Sequence, residues 1–388
     1  MRLVPVVQAS PGMRLGRSVF NVDGRLILAA GITLRQRYID QLLEQGYNAV
    51  YIADDVVQVE IPEVVGAETR QQVVKCVVEF AEKAVIGALS RNGNSGQMPR
   101  AYHRVGRGER PNLVAKMTRA SQMLVEEILS KKEVVIGLLD IKSLNDYTFA
   151  HCVQVAVLSI VVARAMRYPR AEIVEMGVGA LLHDVGKVEV SEYIWKRKGE
   201  LSTDEMQIVQ LHPERGFDFL RQAKVDLLSA HVALQHHERW DGSGYPRGLK
   251  GEQIHKYARL CAVCDVYDAM TSDRPHRNAL HPSEALAFLT ENAGSLYDPR
   301  AVQALTSVVA PYPVASNVLL STGEIAVVKK LNLGALDRPV VVVTKDPRGR
   351  FYDTRLELDL STTANGVEIV DYALWHGKSG QDASGTDT

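Results

Sequence analysis

Apolar and polar positions divide the chain into a mixed first part, a long helical middle and an alternating last part. Between residues 131 and 312, apolar residues recur at helical spacing, and 147–165 is apolar on almost every face, which indicates a helix buried on most sides. After residue 312 the period changes to two. The strict alternation of 355–360 predicts a strand, and 339–343 and 366–370 are predicted as further strands of a small antiparallel module.

The first part of the chain predicts a small α+β unit. Asp23-Gly24 separates two short apolar runs and is typical of a two-residue hairpin turn. A helix is predicted over 34–45, ending at Gly46, and 48–53 is predicted to return as a strand. No cluster of reactive side chains occurs here, so the sequence favours a regulatory or packing role for this unit.

Together these patterns predict a mainly α fold class, with an all-helical core, a small α+β domain at the N-terminus and a small antiparallel β module at the C-terminus. Within the core, Ser202–Glu205 predicts a capping box and Asp298-Pro299 predicts a helix start. The predicted units are a domain over 1–66, a helical linker over 67–134 with a mobile loop near 90–111, the core over 135–312, the β module over 313–375 and a disordered tail over 376–388.

Composition and charge restrict the classes of partner. The formal net charge of −1 over 388 residues gives no reason to expect a nucleic-acid polymer or an anionic membrane. The four cysteines lie in apolar surroundings rather than in a disulfide framework, which favours a reducing, cytoplasmic compartment. The first sixteen residues lack the apolar core of a signal peptide, and no stretch approaches the ~20 apolar residues of a membrane span. We therefore expect no membrane insertion.

Candidate chemistry is concentrated in the helical middle, where histidines stand beside aspartates. His236-His237 ends an apolar run and precedes Glu-Arg-Trp-Asp-Gly-Ser-Gly-Tyr-Pro, whose glycines allow a tight turn that can approach a phosphate. Any one buried histidine or aspartate is more often a paired core residue. The combination of imidazoles and aspartates without a thiolate at matching spacing favours Mn, Fe or Zn in a hydrolytic site. The candidates are His151, His183, Asp184, His212, His236, His237 and Asp265.

An aspartate next to a histidine, here Asp184, can bridge two ions. Two ions about 3.5–4 Å apart can clamp a phosphate and activate a water between them. The pattern therefore indicates phosphate-ester hydrolysis as the chemistry of the site.

These motifs resemble the HD-GYP family, a branch of the HD superfamily of metal-dependent phosphohydrolases. The resemblance covers about residues 135–312. His183-Asp184, inside His-Asp-Val-Gly-Lys, matches the HD doublet, and Gly244-Tyr245-Pro246 matches the GYP motif. The stretch from Asp265 to Arg277 resembles the next signature of the family. The resemblance implies an all-helical HD-type core and a cyclic di-GMP phosphodiesterase that forms pGpG and sometimes GMP.

The resemblance also implies roles for individual residues. The seven candidates would be the metal ligands, with Asp184 also catalytic. Lys187, in a catalytic and substrate-binding role, would bind phosphate oxygens together with Arg274 and Arg277, Tyr245 would donate its hydroxyl to the same phosphate, and the backbone around Gly244 would let the substrate lie close. A metal-bridging hydroxide would attack phosphorus in line.

Further details follow from positions that vary within the family. Tyr147 stands where some members carry a glutamate that gathers a third metal, so we expect two divalent ions, with Fe or Mn favoured over Zn. Glu238 is expected to orient a ligand imidazole, to cap its helix or to pair with Arg239, and Cys152, Cys261 and Cys264 are expected to be core residues.

Two other functions stay open at this stage. One is a nonhydrolytic receptor that binds cyclic dinucleotide and signals through residues 1–130, and the other is an HD phosphohydrolase of a different cyclic dinucleotide. Pairing of the linker helices in a homodimer is a further hypothesis.

Overall fold

The computed structural model of the chain describes residues 1–20, 26–47, 49–53, 57, 59, 63–89, 110–137, 147–190, 194, 201–272, 279–362 and 366–372, without the side chains of 83–89, 110–111 and 147–149. The predicted turn at Asp23-Gly24 and the predicted tail lie outside the described residues, as does most of the predicted loop near 90–111. Arg274 and Arg277, together with the side chain of Tyr147, lie outside them too.

The first part of the chain forms a small α+β unit, as predicted. Strands β1 (Arg2–Pro5), β2 (Arg14–Leu15) and β5 (Ala49–Ala53) form an antiparallel sheet in the order β1-β5-β2, while β3 (Val19–Phe20) pairs with β4 (Leu26–Leu28). Helix α1 (Gln36–Glu44) buries Ile39 and Leu42 against these strands, and the residues after it turn at Gly46, which has a φ of +75°. The predicted hairpin pairing and the predicted helix are both confirmed.

The middle of the chain is helical throughout most of its described length, which confirms the predicted fold class. Residues 151–163, within one of the longest helices, are all buried because other helices surround them. The helices are α2 (Ala67–Leu89), α3 (Arg110–Ser130), α4 (Tyr147–Ala165), α5 (Arg170–Leu181), α6 (Thr203–Gln210), α7 (His212–Ala223), α8 (Leu227–Gln235), α9 (Lys256–Met270), α10 (Pro282–Glu291) and α11 (Pro299–Val308). The predicted starts of two of them are confirmed, since Ser202 and Glu205 form a capping box and Asp298 accepts a hydrogen bond from the backbone N–H of Arg300.

Helix α4 is the centre of this core. It packs against α2, α5, α9 and α11, and its side chains from Val155 to Val157 are fully buried. Helices α2 and α3, which the sequence suggested as a linker, share the same hydrophobic core through Phe80, Met117 and Leu124. Helix α2 also contacts a short 3-10 helix, Val185–Glu189, that follows α5. The two helices thus extend the core toward the segment that carries Lys187.

Two glycines let backbones approach closely where the core helices meet. A Cβ on Gly179 of α5 would lie 2.5 Å from Val232 Cγ2 and 2.9 Å from the carbonyl oxygen of Ser229 on α8. A Cβ on Gly186 of the 3-10 helix would lie 2.0 Å from the carbonyl oxygen of His212 and 2.6 Å from the amide nitrogen of Gly216 on α7. Because backbone atoms cannot rotate away, only glycine fits at these positions.

The last part of the chain is a five-stranded antiparallel sheet in the order β10-β6-β7-β8-β9, which confirms the predicted β module. Its strands are β6 (Asn317–Leu320), β7 (Ile325–Asn332), β8 (Ala335–Lys345), β9 (Phe351–Asp359) and β10 (Ile369–Tyr372). The module joins the N-terminal unit through two hydrogen bonds, from the Leu3 amide to the Ala315 carbonyl at 2.9 Å and from Asn317 Nδ2 to the Leu3 carbonyl at 3.1 Å. Among the described residues, none of the helices has the length and apolarity that crossing a membrane requires.

Candidate metal centre

All seven predicted ligands meet in the interior of the helical core, although they come from five separate parts of it. They form two adjacent groups, in each of which the donor atoms lie within 4.8 Å of one another. His151 comes from α4, His183 and Asp184 from the turn after α5, and Asp265 from α9. His212 is the first residue of α7, and His236 and His237 follow the end of α8. The first group is His151, His183 and Asp265, and the second is Asp184, His212, His236 and His237.

Asp184 lies between the two groups and presents one oxygen to each. Its Oδ1 is 3.4 Å from His212 Nε2 and 3.6 Å from His236 Nε2. Its Oδ2 is 3.6 Å from His183 Nε2 and 4.0 Å from His151 Nε2. A carboxylate placed in this way is suited to bridging two cations, one held by each group.

The imidazoles are turned toward the centre by hydrogen bonds at their outer nitrogens. His183 Nδ1 is 2.7 Å from the Ala180 carbonyl oxygen, and His212 Nδ1 is 2.7 Å from that of Val209. His236 Nδ1 is 2.9 Å from the Ala233 carbonyl oxygen. A carbonyl can only accept, so each Nδ1 carries the proton and each Nε2 directs a lone pair inward whenever the ring is neutral.

The residues present fit a metal ion. His151, His183, Asp184 and His212 are all buried, and His183 Nε2 and Asp184 Oδ1 are buried without a hydrogen-bond partner. Buried polar atoms without partners are costly, and both of these atoms point to the centre. A cation would satisfy them, and imidazole nitrogens with carboxylate oxygens are the donor set of borderline divalent metals.

The pKa values differ sharply between the two groups. Burial alone would lower the pKa of His151, but hydrogen bonds to Asp265 and Asp268 outweigh it and raise the pKa to about 9. Burial would likewise lower the pKa of His183, but the charge of Asp184, together with interactions with Cys152 and Asp265, outweighs it and raises the pKa to about 9. In the second group, burial lowers the pKa of His212 to about 3. At neutral pH without a metal ion, His212 of the second group is therefore neutral and has a free ring-nitrogen lone pair, whereas His151 and His183 of the first group are protonated.

Lys187 and Tyr245 border the centre. Lys187 Nζ, on the 3-10 helix, lies 2.5 Å from Asp184 Oδ2. Against the opposing effect of burial, this ammonium and His183 hold the pKa of Asp184 well below its usual range. The ring of Tyr245 stacks on His237 with the centroids 4.8 Å apart, and burial raises the pKa of its hydroxyl, which therefore keeps its proton. Both groups can donate hydrogen bonds to an anion at the centre.

Glu238 performs none of the tasks that the sequence suggested. Its buried carboxylate accepts hydrogen bonds at 2.9 Å from the backbone amides of Arg247 and Leu249, and so holds the loop that contains Tyr245. A Cβ on Gly244 would lie 2.5 Å from the Glu238 Cα and 2.3 Å from the Arg239 amide nitrogen. The need for glycine at 244 thus comes from packing within the loop as well as from the expected approach of a ligand.

Two residues near the centre were not predicted as part of it. Asp268 Oδ2 lies 2.6 Å from His151 Nδ1; its signals in the sequence are its position three residues after Asp265 on the same helix and its place in the signature stretch 265–277. Cys152 is buried, as expected of a core residue, but its thiol also lies within 4.8 Å of donor atoms of His183 and Asp184. Cys261 and Cys264 are fully buried, in agreement with their predicted core role.

The part of the chain that contains this centre is similar to known proteins. Residues 123–301 match the family model of the HD domain, a range that contains all seven candidate ligands. The chain is 37% identical over 254 residues to a cyclic di-GMP phosphodiesterase of Pseudomonas aeruginosa. The aligned residues cover 64% of this chain and 61% of that protein. It is 42% identical over 146 residues to a cyclic di-GMP phosphodiesterase response regulator of Xanthomonas campestris, covering 37% and 39%.

Other relatives act on a different cyclic dinucleotide by name. A 3′3′-cGAMP-specific phosphodiesterase of Vibrio cholerae is 36% identical over 168 residues, covering 43% of this chain and 36% of that protein. The chain thus spans between about a third and three fifths of the length of these relatives. These matches confirm the resemblance drawn from the motifs.

Proposed function

We propose that the protein hydrolyses cyclic di-GMP to the linear dinucleotide pGpG and then to GMP, because residues 123–301 match the HD domain model and the chain is similar to a cyclic di-GMP phosphodiesterase. The observation that carries the proposal is the position of Asp184, with one oxygen toward each of two groups of metal-binding side chains. Relatives named as cyclic di-GMP phosphodiesterases support the choice of substrate.

The proposal assigns one divalent cation to each group, with Asp184 shared between them. Fe or Mn suits these positions better than Zn, since each ion would have four protein ligands, with Asp184 counted for both, and a water between the ions would raise the number above four. When bound, the two cations would supply a nucleophilic water at neutral pH and neutralise charge on the phosphate.

The side chains around the centre would position the phosphodiester. The Lys187 ammonium lies beside Asp184, where a phosphate oxygen at the centre would need a positive partner. The Tyr245 hydroxyl keeps its proton and can donate it in a hydrogen bond. Arg274 and Arg277, which lie outside the described residues, are proposed to bind further phosphate oxygens. The stack of Tyr245 on His237 would fix the tyrosine relative to the second group of ligands.

A second candidate is hydrolysis of another cyclic dinucleotide, which the similarity to the Vibrio cholerae enzyme specific for 3′3′-cGAMP favours. The two substrates differ in one base and share both phosphodiesters. The proposed cations and Lys187 would contact phosphate rather than base, so the centre would serve either substrate equally well.

The test is to purify the protein anaerobically, load it with Mn or Fe, incubate it with cyclic di-GMP or 3′3′-cGAMP, and separate the products. We expect pGpG from cyclic di-GMP. Asp184→Asn should reduce turnover by roughly 10²–10³-fold or more, because it removes the shared charge. Asp204→Asn, at an exposed aspartate of α6, is the matched control and should leave turnover unchanged.

Three outcomes would contradict the main proposal. Faster turnover of 3′3′-cGAMP would favour the second candidate. Binding of cyclic di-GMP without turnover, in protein that contains about two metal ions per chain, would instead indicate a receptor. Unchanged turnover in Asp184→Asn would show that the centre described here is not the catalytic one.

A further inference from the structure

The four buried ligand histidines are not held in the same way. His183, His212 and His236 each direct Nδ1 at a backbone carbonyl oxygen, which is neutral. His151 directs Nδ1 at the carboxylate of Asp268 instead, at 2.6 Å. Only this imidazole, among the four, is backed by a formal negative charge.

Asp268 is itself held in place. Its side chain is 2% exposed, and Ser272 Oγ lies 3.4 Å from the same oxygen that contacts His151. Asp265 lies three residues earlier on α9 and therefore on the same side of the helix, with its Oδ1 3.0 Å from His151 Nε2. One face of α9 thus holds both nitrogens of a single imidazole between two carboxylates.

A carboxylate behind an imidazole changes the ring as a ligand. The charge-assisted hydrogen bond is stronger than one to a carbonyl, so it fixes the ring orientation and the tautomer more firmly. It also makes the opposite nitrogen a more basic donor to a metal ion. Among the four buried ligand histidines, Asp268 contacts His151, which belongs to the first group. Its influence should therefore fall on the cation position of that group and not on the other.

We propose that Asp268 is a positioning residue that selectively supports the cation held by His151, His183 and Asp265. This inference rests on the proposed two-cation centre and deepens it, because it makes the two positions unequal. Loss of the Asp268 charge should weaken binding at the first position and leave the position formed by Asp184, His212, His236 and His237 as it was.

The experiment measures binding of Mn²⁺ and of Zn²⁺ to metal-free protein by competition with a chromophoric chelator. For unaltered protein we expect two binding constants. In Asp268→Asn, which keeps the shape and an acceptor oxygen but loses the charge, one constant should weaken by roughly 10–100-fold and the other should stay within about twofold. Asp204→Asn, at an exposed aspartate of α6, makes the same chemical change away from the centre; it is the control and should leave both constants unchanged.

A second measurement uses the unaltered protein, so it does not depend on whether a variant folds. In unaltered protein labelled with ¹⁵N-histidine and loaded with Zn²⁺, the Nδ1 proton of His151 should resonate furthest downfield among the ligand histidines, because its acceptor is charged. Circular dichroism of each variant checks that the helical content is retained.

The results that would overturn the proposal are distinct from those that bear on the enzymatic activity. A single binding constant in the unaltered protein would contradict it, as would two constants that both stay unchanged, or weaken equally, in Asp268→Asn. A His151 Nδ1 proton no further downfield than those of His183 and His212 would also contradict it. Absence of hydrolysis alongside one selectively weakened constant would support the role of Asp268 while refuting the proposed activity.

Discussion

The helical core and the two β-containing ends of the chain differ in the side chains that they bury. The core brings seven side chains that could hold metal ions into its interior, and it buries His183 Nε2 and Asp184 Oδ1 there without hydrogen-bond partners. Among the described residues, the N-terminal unit and the β module contain no such group; they pack on each other through Leu3 and Ala315 and expose large apolar residues such as Phe351. The proposed chemistry therefore depends on the packing of the core, and the ends can influence it only through their contacts with the core.

The largest effect is expected from a substitution where packing and chemistry coincide. In Gly186→Ala, the new Cβ would meet backbone atoms of His212 and Gly216, so the 3-10 helix would have to leave α7. We expect a loss of about 3 kcal/mol or more in the free energy of unfolding, and loss of bound metal, because Asp184 and His212 would move apart. Thermal unfolding with and without Mn²⁺, together with metal analysis, measures both effects.

Gly349→Ala, in the β module, is the matched substitution to Gly186→Ala in the core. Gly349 has a φ of +79° and nothing within 4 Å of its ideal Cβ, so the only cost is backbone strain of about 1–2 kcal/mol. Metal content should not change. If both variants lost the same stability and kept their metal, the contrast between the core and the β module would be wrong.

The sequence predicted the helices of the core, the strands of the β module and the candidate ligands because each has a local signal. The apolar run of α4 and the alternation of β9 follow directly from residue order, and the His-Asp and Gly-Tyr-Pro motifs indicated the candidate ligands through family resemblance. What it missed depends on contacts between distant segments. Glu238 is charged and lies next to two ligands, so an interaction with an imidazole was the natural expectation; its actual partners are amides that a loop brings back to it. The hydrogen bond from Leu3 to Ala315 joins opposite ends of the chain and has no local signal.

A smaller effect is expected from that unpredicted role of Glu238. Glu238→Gln would place an amide donor against one of two backbone amides, which leaves buried donors unpaired at a cost of about 1–3 kcal/mol. The loop should loosen around Tyr245, so turnover should fall by roughly tenfold while metal content is kept. Glu252→Gln, whose side chain is mostly exposed, serves as the control. Loss of metal in Glu238→Gln would show that the residue supports the ligands rather than the loop.

The pH dependence of stability should separate metal-free from metal-loaded protein. In the metal-free form, His151 and His183 have pKa values raised to about 9, so their contribution is complete below about pH 6.5 and is lost as the pH rises through about 9. We expect the Tm of protein in EDTA to fall by roughly 5 °C between pH 7 and 9.5. Protein loaded with Mn²⁺ should show a smaller fall, since its imidazoles would already be neutral ligands. Parallel curves would indicate that these histidines do not bind the metal.

The smallest effect is expected where the β module touches the core. The ring of Tyr372, on β10, stacks on His281 with centroids 3.7 Å apart, and its hydroxyl donates to the Pro311 carbonyl. His281 precedes α10 and follows the segment that contains Arg274 and Arg277. Loss of an aromatic stack costs about 0.5–1.5 kcal/mol, so Tyr372→Ala should loosen the anchor of that segment.

If Arg274 and Arg277 bind the substrate, Tyr372→Ala should raise KM by roughly two- to fivefold with metal content and kcat nearly unchanged, because the anchor is lost without disturbing the ligands. Tyr372→Phe keeps the stack and should restore most of the affinity, and Phe351→Ala, at an exposed residue of β9, should have no effect. A fall in kcat with an unchanged KM would place the influence of the β module on the metal ligands instead, through Tyr267 of α9, which lies near Tyr372. That outcome would remove the sharp division between a core that performs the chemistry and ends that only adjust substrate binding.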